Sequence, residues 1–316
     1  MSIKSVGIVG SGVMGAGIAE LAGKAGFDVV VRSRSQSAAD ACLAKVAKSL
    51  ARQVDKDKIS AAERDAVLAR VRAVTDLGEL EYCQLVIESV VEDLGAKKHL
   101  FTQLDGICAT ETILATNTST LPVLELAVSV SRADRVCGMH FFNPAPVMPL
   151  VEIVPALTTS EETVAVAWQF ALDCGKTPVK SKDQAGFIVN ALLFPYLNAA
   201  VRMLESDVAT KEDIDTAMRG GCGFPMGPFE LLDLVGLDTS LAVLERLYEE
   251  RREPGCVPAS LLRRMVTAKQ LGRKTGGGFY SYTAAPAAAP AGGSATSTAT
   301  SAAPESSAAP AAGKAP

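Results

Sequence analysis

The stretch VGIVGSGVMG, residues 6–15, places three glycines directly after a short apolar run. The run predicts a β-strand and the residues from Met14 onward predict a helix, so the glycines lie in a strand–turn–helix segment. In such a segment Gly10 permits the tight turn, Gly12 lets the backbone approach a pyrophosphate, and Gly15 lets the helix pack closely on the sheet. The free amides of the helix N-terminus attract phosphate. The segment therefore predicts a dinucleotide-binding loop formed by Gly10, Gly12, Val13, Met14 and Gly15.

Short apolar runs alternate with helical patterns up to about residue 182, which is typical of a parallel sheet with helices on its faces. The expected strands are Ile3–Val9, Asp28–Arg32, Leu85–Ser89, Ile113–Thr116, Arg135–Phe141 and Leu150–Val154. The expected helices between them are Met14–Ala25, Ala38–Gln53, Ala61–Arg70, Asp93–Leu104 and Glu161–Leu172. From Gly186 onward only helical patterns remain, and they include Phe187–Leu204, Lys211–Arg219 and Glu230–Arg251. We therefore expect an α/β dinucleotide-binding domain over residues 1–184 and an all-α domain over residues 185–283.

The remaining segment, Ala284–Pro316, consists of Ala, Pro, Ser, Thr and Gly apart from Glu305 and Lys314. It has no large apolar side chain to offset the entropy that is lost on ordering, so it predicts a disordered tail over residues 284–316. Its alanines also inflate the hydrophobic share of the 316-residue chain, which stands at 48%.

Composition and charge exclude several classes of protein. With 21% charged residues and a formal net charge of −4, the chain has no basic field for nucleic acid. No run approaches the ~20 apolar residues that span a bilayer, and the N-terminus does not read as an export signal. The seven cysteines are scattered without a CxxC pair, which predicts reduced thiols and no metal site. We expect a cytoplasmic protein that binds neither nucleic acid nor membrane.

The end of the second expected strand bears on the choice of cofactor. An NAD site usually has an acidic residue about 20 residues after the glycines, where it binds the adenosine ribose, whereas an arginine suits the 2′-phosphate of NADP. Here the strand ends in Arg32, Ser33 and Arg34, and no acid occurs from residue 29 to residue 39. Ser33 and either arginine can bind a phosphate through charge-assisted hydrogen bonds. NADP(H) is therefore favoured over NAD(H), the alternative being solvated arginines and a weak NAD site.

The chain has two histidines, and one of them lies in a segment that predicts a hairpin. His140 and Glu152 belong to two apolar runs separated by the turn-rich stretch NPAP, and Pro146 is the midpoint between them. A hairpin centred there sets the two side chains opposite each other. A carboxylate fixes the tautomer of a histidine and stabilises its charged form, so the pair is either a general base for a hydroxyl or a structural hydrogen bond. His99 lies in a lysine-rich helical stretch and is expected on the surface.

Eight segments spread over nearly the whole chain before the expected tail carry a family resemblance. They are GIVGSGVMGAGIA, LVIESVVED, ATNTSTLP, GMHFFNPAPVMPLVEIV, GFIVNALLFPYLNAAVRMLE, EDIDTAM, PMGPFELLDLVGLDT and LGRKTGGGFYSY. In this order they resemble the 3-hydroxyacyl-CoA dehydrogenase family, in particular its short bacterial 3-hydroxybutyryl-CoA type. The stretch HFFNPxPV followed by LVE is highly specific to that family.

The resemblance implies a Rossmann-type N-terminal domain and a helical C-terminal domain that binds substrate and joins two chains as a homodimer. It implies that His140 is the catalytic base and Glu152 its partner, and that Ser119 and Asn190 hydrogen-bond the 3-oxygen of the substrate. Ser33 departs from the family pattern, since the NAD-dependent members usually have Asp there. The other implied positions are the cofactor contacts Glu92, Lys97, Asn143 and Lys274 and the coenzyme A contacts Ser49 and Lys56, of which Lys56 also fits a solvated surface.

The implied reaction interconverts an (S)-3-hydroxyacyl-CoA, with 3-hydroxybutyryl-CoA as the expected substrate, and a 3-oxoacyl-CoA by hydride transfer with a nicotinamide cofactor. In this reaction His140 takes the proton of the 3-hydroxyl group and returns it in the reverse direction. One alternative is the same chemistry on an acyl-carrier-protein thioester or a small hydroxy acid. Another is a non-catalytic nucleotide-binding protein, against which the joint presence of Ser119, His140, Glu152 and Asn190 argues.

Overall fold

The first half of the chain forms one sheet of eight strands in the order β3-β2-β1-β4-β5-β6-β7-β8. The computed structural model describes residues 3–282, so the expected tail over residues 284–316 lies outside the described residues. Strands β1 to β6 pair in parallel, β7 runs antiparallel to β6, and β8 is parallel to β7. The expected parallel-rich α/β fold is confirmed. The strands are β1 Ser5–Val9, β2 Asp28–Arg32, β3 Val71–Val74, β4 Leu85–Glu88, β5 Ile113–Thr116, β6 Val136–Phe141, β7 Leu150–Pro155 and β8 Thr177–Lys180.

Helices cover both faces of this sheet, which is why its central strands are almost wholly buried apolar runs such as LVIE and ILAT. One face packs against α1 Val13–Lys24, α2 Gln36–Val54, α3 Ala61–Arg70 and α6 Glu161–Asp173. The other face packs against α4 Leu94–Ile107 and the short α5 Val123–Ala127. The carboxyl ends of β1, β4, β5 and β6 therefore meet at one edge of the sheet, which we call the carboxyl edge.

The two strands that the sequence patterns do not predict are β3 and β8, and both lie at the outer margins of the sheet. Their sequences, VRAV and TPVK, are short and carry a charged residue or a proline. An edge strand tolerates such residues because one side of its backbone is unpaired. Short polar runs of this kind have too little apolar pattern to indicate a strand.

The second half of the chain is helical and has a core of its own, which includes Phe194, Leu197, Leu232 and Leu244. The expected single helix Glu230–Arg251 is wrong, because the chain forms two helices that meet at Gly236. Gly236 has a φ of +100°, which a helix cannot continue through. No helix within residues 3–282 is long and apolar enough to cross a membrane. The helices are α7 Val189–Glu205, α8 Lys211–Cys222, α9 Pro228–Val235, α10 Leu237–Arg251 and α11 Ser260–Thr267.

Candidate active site

The glycine loop between β1 and α1 leaves open space at one position only. Gly10 has a φ of +115°, and a Cβ atom there would lie 2.3 Å from the carbonyl oxygen of Ser89. A Cβ atom on Gly15 would lie 1.8 Å from the carbonyl oxygen of Gly10, so neither position admits a side chain. Gly12, in contrast, has no atom within 4 Å of such a Cβ. This open space over a bare backbone fits the approach of a pyrophosphate.

Helix α1 begins at this loop with its first amides unoccupied by a side chain. Gly12 is its N-terminal cap and offers no side-chain acceptor, whereas Ser35 caps α2 and Asp93 caps α4. Val13 in the first turn is 66% exposed and Met14 is half-buried, so both lie at the rim of the loop. The amides and the helix dipole together suit a phosphate group.

At the carboxyl end of β2, Ser33 is buried and its Oγ atom has no hydrogen-bond partner in the described part of the chain. An unpaired buried hydroxyl is uncommon, and a bound ligand is one explanation of it. Arg32 donates its Nε–H group to the carbonyl oxygen of Thr75 at 3.2 Å. Arg34 is exposed and Arg32 is half-buried at this end of β2.

His140 and Glu152 are direct cross-strand partners in the antiparallel β6–β7 pair, in the register that the sequence predicts. The Nδ1 atom of His140 lies 2.6 Å from the Oε2 atom of Glu152. The histidine is 6% exposed and the glutamate is 0% exposed. The rings of Phe142 and Phe187 lie 4.5 Å and 5.6 Å from the imidazole between centroids, so aromatic side chains flank the pair.

The second oxygen of Glu152 is held by the helical half of the protein. Its Oε1 atom accepts hydrogen bonds from the backbone amides of Ile188, at 2.9 Å, and Val189, at 3.0 Å, where α7 begins. In the tautomer in which the imidazole donates its Nδ1 hydrogen to Glu152, the Nε2 atom is left as an acceptor. Asn190 follows in the first turn of α7, and its side-chain amide makes no hydrogen bond within residues 3–282.

Ser119 lies in the loop that follows β5, beside the end of β6. Asn117 in this loop accepts a hydrogen bond from the backbone amide of Phe141 at 2.8 Å, which ties the loop to the strand that carries His140. The Oε1 atom of Glu92 accepts hydrogen bonds from the amide of Ser119 at 2.8 Å and from its hydroxyl at 3.3 Å. Ser119 and His140 are therefore carried by neighbouring segments of the carboxyl edge.

Glu92 and Lys97 lie at this edge and are engaged with the protein itself. Lys97 is 1% exposed, and its Nζ atom is 2.6 Å from Glu88 and 3.3 Å from Glu92. Burial alone raises the pKa of Glu92, but Lys97 and the donors of Thr118 and Ser119 outweigh it and hold that pKa below its ordinary value. Glu88 is missing from the sequence-based set, although a glutamate that closes the apolar run LVIE is a visible signal.

Two sequence profiles of one family match the chain. The profile of the 3-hydroxyacyl-CoA dehydrogenase NAD binding domain covers residues 5–184, and that of the C-terminal domain covers residues 186–282. The chain belongs to the 3-hydroxyacyl-CoA dehydrogenase family. The resemblance expected from the sequence segments is thereby confirmed.

Curated members of the 3-hydroxyacyl-CoA dehydrogenase family match over most of the chain. The 3-hydroxybutyryl-CoA dehydrogenase of Mycobacterium tuberculosis is 46% identical over 283 residues, which is 89% of this chain and 99% of that protein. The enzyme of the same name from Clostridioides difficile is 44% identical over 275 residues, 87% of this chain and 98% of that protein. The crystal structure of (S)-3-hydroxybutyryl-CoA dehydrogenase from Ralstonia eutropha superposes with a TM-score of 0.88 at 44% identity, covering 90% of this chain and 100% of that one.

The remaining positions expected from the 3-hydroxyacyl-CoA dehydrogenase resemblance are spread over the molecule. Asn143 is exposed in the turn after β6, on the carboxyl edge. Lys274 belongs to the helical half, where its Nζ atom pairs with Asp238 at 2.5 Å. Ser49 is half-buried on α2 and Lys56 is exposed in the turn between α2 and α3. The contacts within residues 3–282 thus join Lys97, Glu92 and Ser119 in one set and His140 and Glu152 in another, both at the carboxyl edge. Lys274, Ser49 and Lys56 lie outside both sets.

His99 is exposed on α4, as expected for a residue outside the chemistry. Within residues 3–282, no group of three or more His, Cys, Asp or Glu side chains is arranged to hold a metal ion.

Proposed function

We propose that the protein is an oxidoreductase that interconverts an (S)-3-hydroxyacyl-CoA and a 3-oxoacyl-CoA with a nicotinamide dinucleotide. The observation that carries this proposal is the 2.6 Å pair of His140 and Glu152 at the same sheet edge as the glycine loop. The names of the relatives, 3-hydroxybutyryl-CoA dehydrogenases, favour a short acyl chain as substrate.

The glycine loop is where this chain holds the dinucleotide, with Gly10, Gly12 and Gly15 bringing the backbone close and the amides of α1 facing the pyrophosphate. When bound, the nicotinamide supplies the acceptor or donor of the hydride at carbon 3 of the substrate. Asn143 lies at the same edge and is a further contact for the nucleotide. Glu92 and Lys97 contribute to nucleotide binding chiefly by holding the Ser119 loop, since both are already bonded to protein groups.

His140 moves the proton in this scheme. In oxidation its Nε2 atom accepts the proton of the 3-hydroxyl group, and in reduction the imidazolium returns it to the developing alkoxide. Glu152 is held in place by two backbone amides. It stabilises the charged ring of His140 and keeps the Nε2 atom of that ring facing away from the carboxylate. Ser119 and Asn190 hydrogen-bond the 3-oxygen and orient it toward His140. Phe142 and Phe187 keep water away from the imidazole.

The helical hairpin of α2 and α3 is the proposed contact for coenzyme A, through Ser49 and the exposed ammonium group of Lys56. Replacing Lys56 by Met should raise KM for the CoA thioester while leaving KM for the cofactor unchanged. The helical half is the proposed surface for a homodimer. We also propose the division of the chain near residue 184, which is where the two family profiles meet.

NADP(H) is the proposed cofactor, and two features of the end of β2 support it. Ser33 has a buried Oγ atom without a partner, and Arg34 has an exposed guanidinium group. One charge-assisted hydrogen bond to a 2′-phosphate contributes about 1.5–3 kcal/mol. Replacing Ser33 by Asp should reverse the preference toward NAD(H), measured as kcat/KM for each cofactor. A wild-type enzyme that prefers NADH overturns this part of the proposal.

The decisive assay follows oxidation of NADPH and NADH by absorbance with acetoacetyl-CoA as substrate. We expect turnover by the wild type, and a loss of about 10²–10⁴-fold in kcat for His140→Ala with cofactor binding retained. Near-normal turnover of that variant removes His140 from the mechanism. An enzyme that reduces only an acyl-carrier-protein thioester or a free 3-oxo acid changes the substrate, and a wild type inactive on all three contradicts the proposed function.

A further inference from the structure

Glu88 is a fully buried carboxylate at the carboxyl end of β4, and the proposed chemistry does not use it. Its Oε1 atom accepts hydrogen bonds from the amide of Val90 and from Lys97, each at 2.6 Å. Its Oε2 atom accepts one from the hydroxyl of Thr116 at 2.7 Å. A buried charge is costly unless it is paired and hydrogen-bonded, so this carboxylate is held rigidly by its surroundings.

One chain of contacts leads from Glu88 to residues 118–120 through Lys97. The ammonium group of Lys97 lies 2.6 Å from Glu88 and 3.3 Å from the Oε2 atom of Glu92. The other oxygen of Glu92 accepts hydrogen bonds from the hydroxyl of Thr118, at 2.6 Å, and from the amide of Ser119, at 2.8 Å. The position of Lys97 therefore determines how Glu92 is oriented toward this loop.

A second chain of contacts leads from Glu88 to the same loop without Lys97. The hydroxyl of Thr116 donates to Glu88 and accepts a hydrogen bond from the amide of Thr118 at 3.2 Å. Both chains end within residues 118–120, on the segment that carries Ser119. Two independent sets of contacts from one carboxylate thus fix the same short stretch of backbone.

We propose that Glu88 is a positioning residue that sets the conformation of the Ser119 loop and thereby aims the Ser119 hydroxyl at the substrate. The amide of Ser119 is held by Glu92 at 2.8 Å, while its hydroxyl lies at a longer 3.3 Å and is the weaker contact. Such a hydroxyl can exchange Glu92 for a substrate oxygen without the backbone moving. The role rests on the proposed function, which makes Ser119 a substrate contact.

The charge of Glu88 is needed for this role because Lys97 is shared between two carboxylates. With an amide at position 88 the ammonium group pairs with Glu92 alone and draws that carboxylate away from the loop. The Glu88→Gln variant keeps the shape of the side chain, removes its charge and replaces one acceptor oxygen by an amide NH2 group. We expect it to disturb the loop while preserving the packing of the sheet.

The test is a double-mutant cycle with Ser119, measured as kcat/KM for acetoacetyl-CoA. In the wild-type background Glu88→Gln should cost at least about tenfold, and in a Ser119→Ala background less than about threefold, because its effect passes through that hydroxyl. Asp215→Asn is the matched control, since Asp215 is equally buried and also accepts three hydrogen bonds, but it lies in the helical half. Its effect on kcat/KM should be within twofold in either background. An equal penalty for Glu88→Gln in both backgrounds overturns the proposal.

A second measurement does not depend on turnover. Amide hydrogen exchange in the protein without substrate should be faster at residues 118–120 in Glu88→Gln and unchanged there in Asp215→Asn. Exchange that stays at the wild-type rate in Glu88→Gln overturns the proposal even if activity falls. A wild type that does not reduce acetoacetyl-CoA defeats the proposed function, whereas the exchange result still decides whether Glu88 holds the loop.

Thr116→Val provides the test if Glu88→Gln does not fold. It removes only the hydroxyl that links Glu88 to the amide of Thr118 and leaves the ion pair with Lys97 in place. We expect a loss of about threefold in kcat/KM that disappears in the Ser119→Ala background. A Thr116→Val penalty that persists in that background contradicts the second chain of contacts and with it the proposal.

Discussion

Glu152 in the sheet and Asp215 in the helical half are anchored in the same way and do different things. Each is 0% exposed, and each accepts hydrogen bonds from two consecutive backbone amides at the start of a helix. For Glu152 the helix is α7, and for Asp215 it is α9. Each carboxylate has one further partner, which is the Nδ1 atom of His140 at 2.6 Å for the first and the hydroxyl of Tyr280 at 3.0 Å for the second.

The two carboxylates differ in which hydrogen-bonding atoms their further partners keep free. An imidazole that donates its Nδ1 hydrogen keeps a second nitrogen, whereas the phenol of Tyr280 has donated its single hydrogen. The first arrangement therefore leaves the nitrogen that acts as the base in the proposed function, and the second fastens the last described segment of the chain to α8. A buried carboxylate alone does not indicate catalysis, and the group it orients decides its role.

The Glu152→Gln variant tests the proposed catalytic role of Glu152, and we expect it to have a larger effect than the variants that follow. An amide presents an N–H group to Nδ1 and favours the tautomer in which Nε2 carries the hydrogen, so the base is lost. We expect kcat with acetoacetyl-CoA to fall by about 10²–10⁴-fold, with cofactor affinity unchanged. Activity within tenfold of wild type contradicts the assigned role of Glu152.

The Asp215→Asn variant tests the structural role of Asp215, and we expect it to lower the stability of the protein. One of the two backbone donors then faces an amide hydrogen or a lengthened contact, at a cost of about 1–3 kcal/mol in the free energy of unfolding. Urea denaturation measures this cost, and kcat/KM measured below the transition should stay within twofold of wild type. A large loss of kcat in a variant that remains folded shows that Asp215 and Glu152 are not separable in this way.

The Tyr280→Phe variant tests the contact between Tyr280 and Asp215 through the pH dependence of the unfolding free energy. Burial and the neighbouring Asp215 raise the pKa of Tyr280 above its ordinary value of 10.0. A raised pKa of this kind contributes stability that is fully present below pH ~10 and is lost as the pH rises through the folded value. The unfolding free energy of the wild type should therefore fall more steeply above pH ~10 than that of Tyr280→Phe. Parallel curves for the two proteins over that range contradict the assignment.

The labelling rates of buried cysteines measure how each half of the protein opens, and we expect only small changes in these rates. Cys222 is exposed and the six others are buried, so one of the seven thiols should react promptly with a disulfide reagent at pH 8. Burial raises the pKa of Cys137 in β6 to about 12, and it also raises the pKa of Cys256 in the helical core. Asp215→Asn should speed the labelling of Cys256 and leave Cys137 protected. Equal acceleration at both thiols shows that the halves open together.

The sequence predicts the centre of the fold better than its margins, because burial on both faces forces apolar runs into the central strands. The runs that became β1, β2, β4, β5, β6 and β7 were all recognisable, with bounds that differ by at most two residues. The edge strands β3 and β8 are not predicted because an edge strand can carry polar residues. The break between α9 and α10 escapes because one glycine within a long amphipathic pattern gives little local sign of a positive φ.

The same contrast holds at the site. His140 and Glu152 are symmetric about a turn, so their pairing follows from the period of two in a strand. The amides of Ile188 and Val189 that complete the pair are 36 and 37 residues from Glu152 and have no side-chain signature. Glu88 lies between these cases, since an acid at the end of an apolar strand is unusual, but its nine-residue separation from Lys97 has meaning only once β4 and α4 are packed together.

The two amides that hold Glu152 make the site in the sheet dependent on the helical half. A chain extended only to residue 184 already contains the glycine loop, His140 and Glu152, yet it lacks the donors at residues 188 and 189. The Oε1 atom of Glu152 then lacks both of its hydrogen-bond donors. Under the proposed function, the proton-transfer site is therefore complete only when the start of α7 is docked against β7.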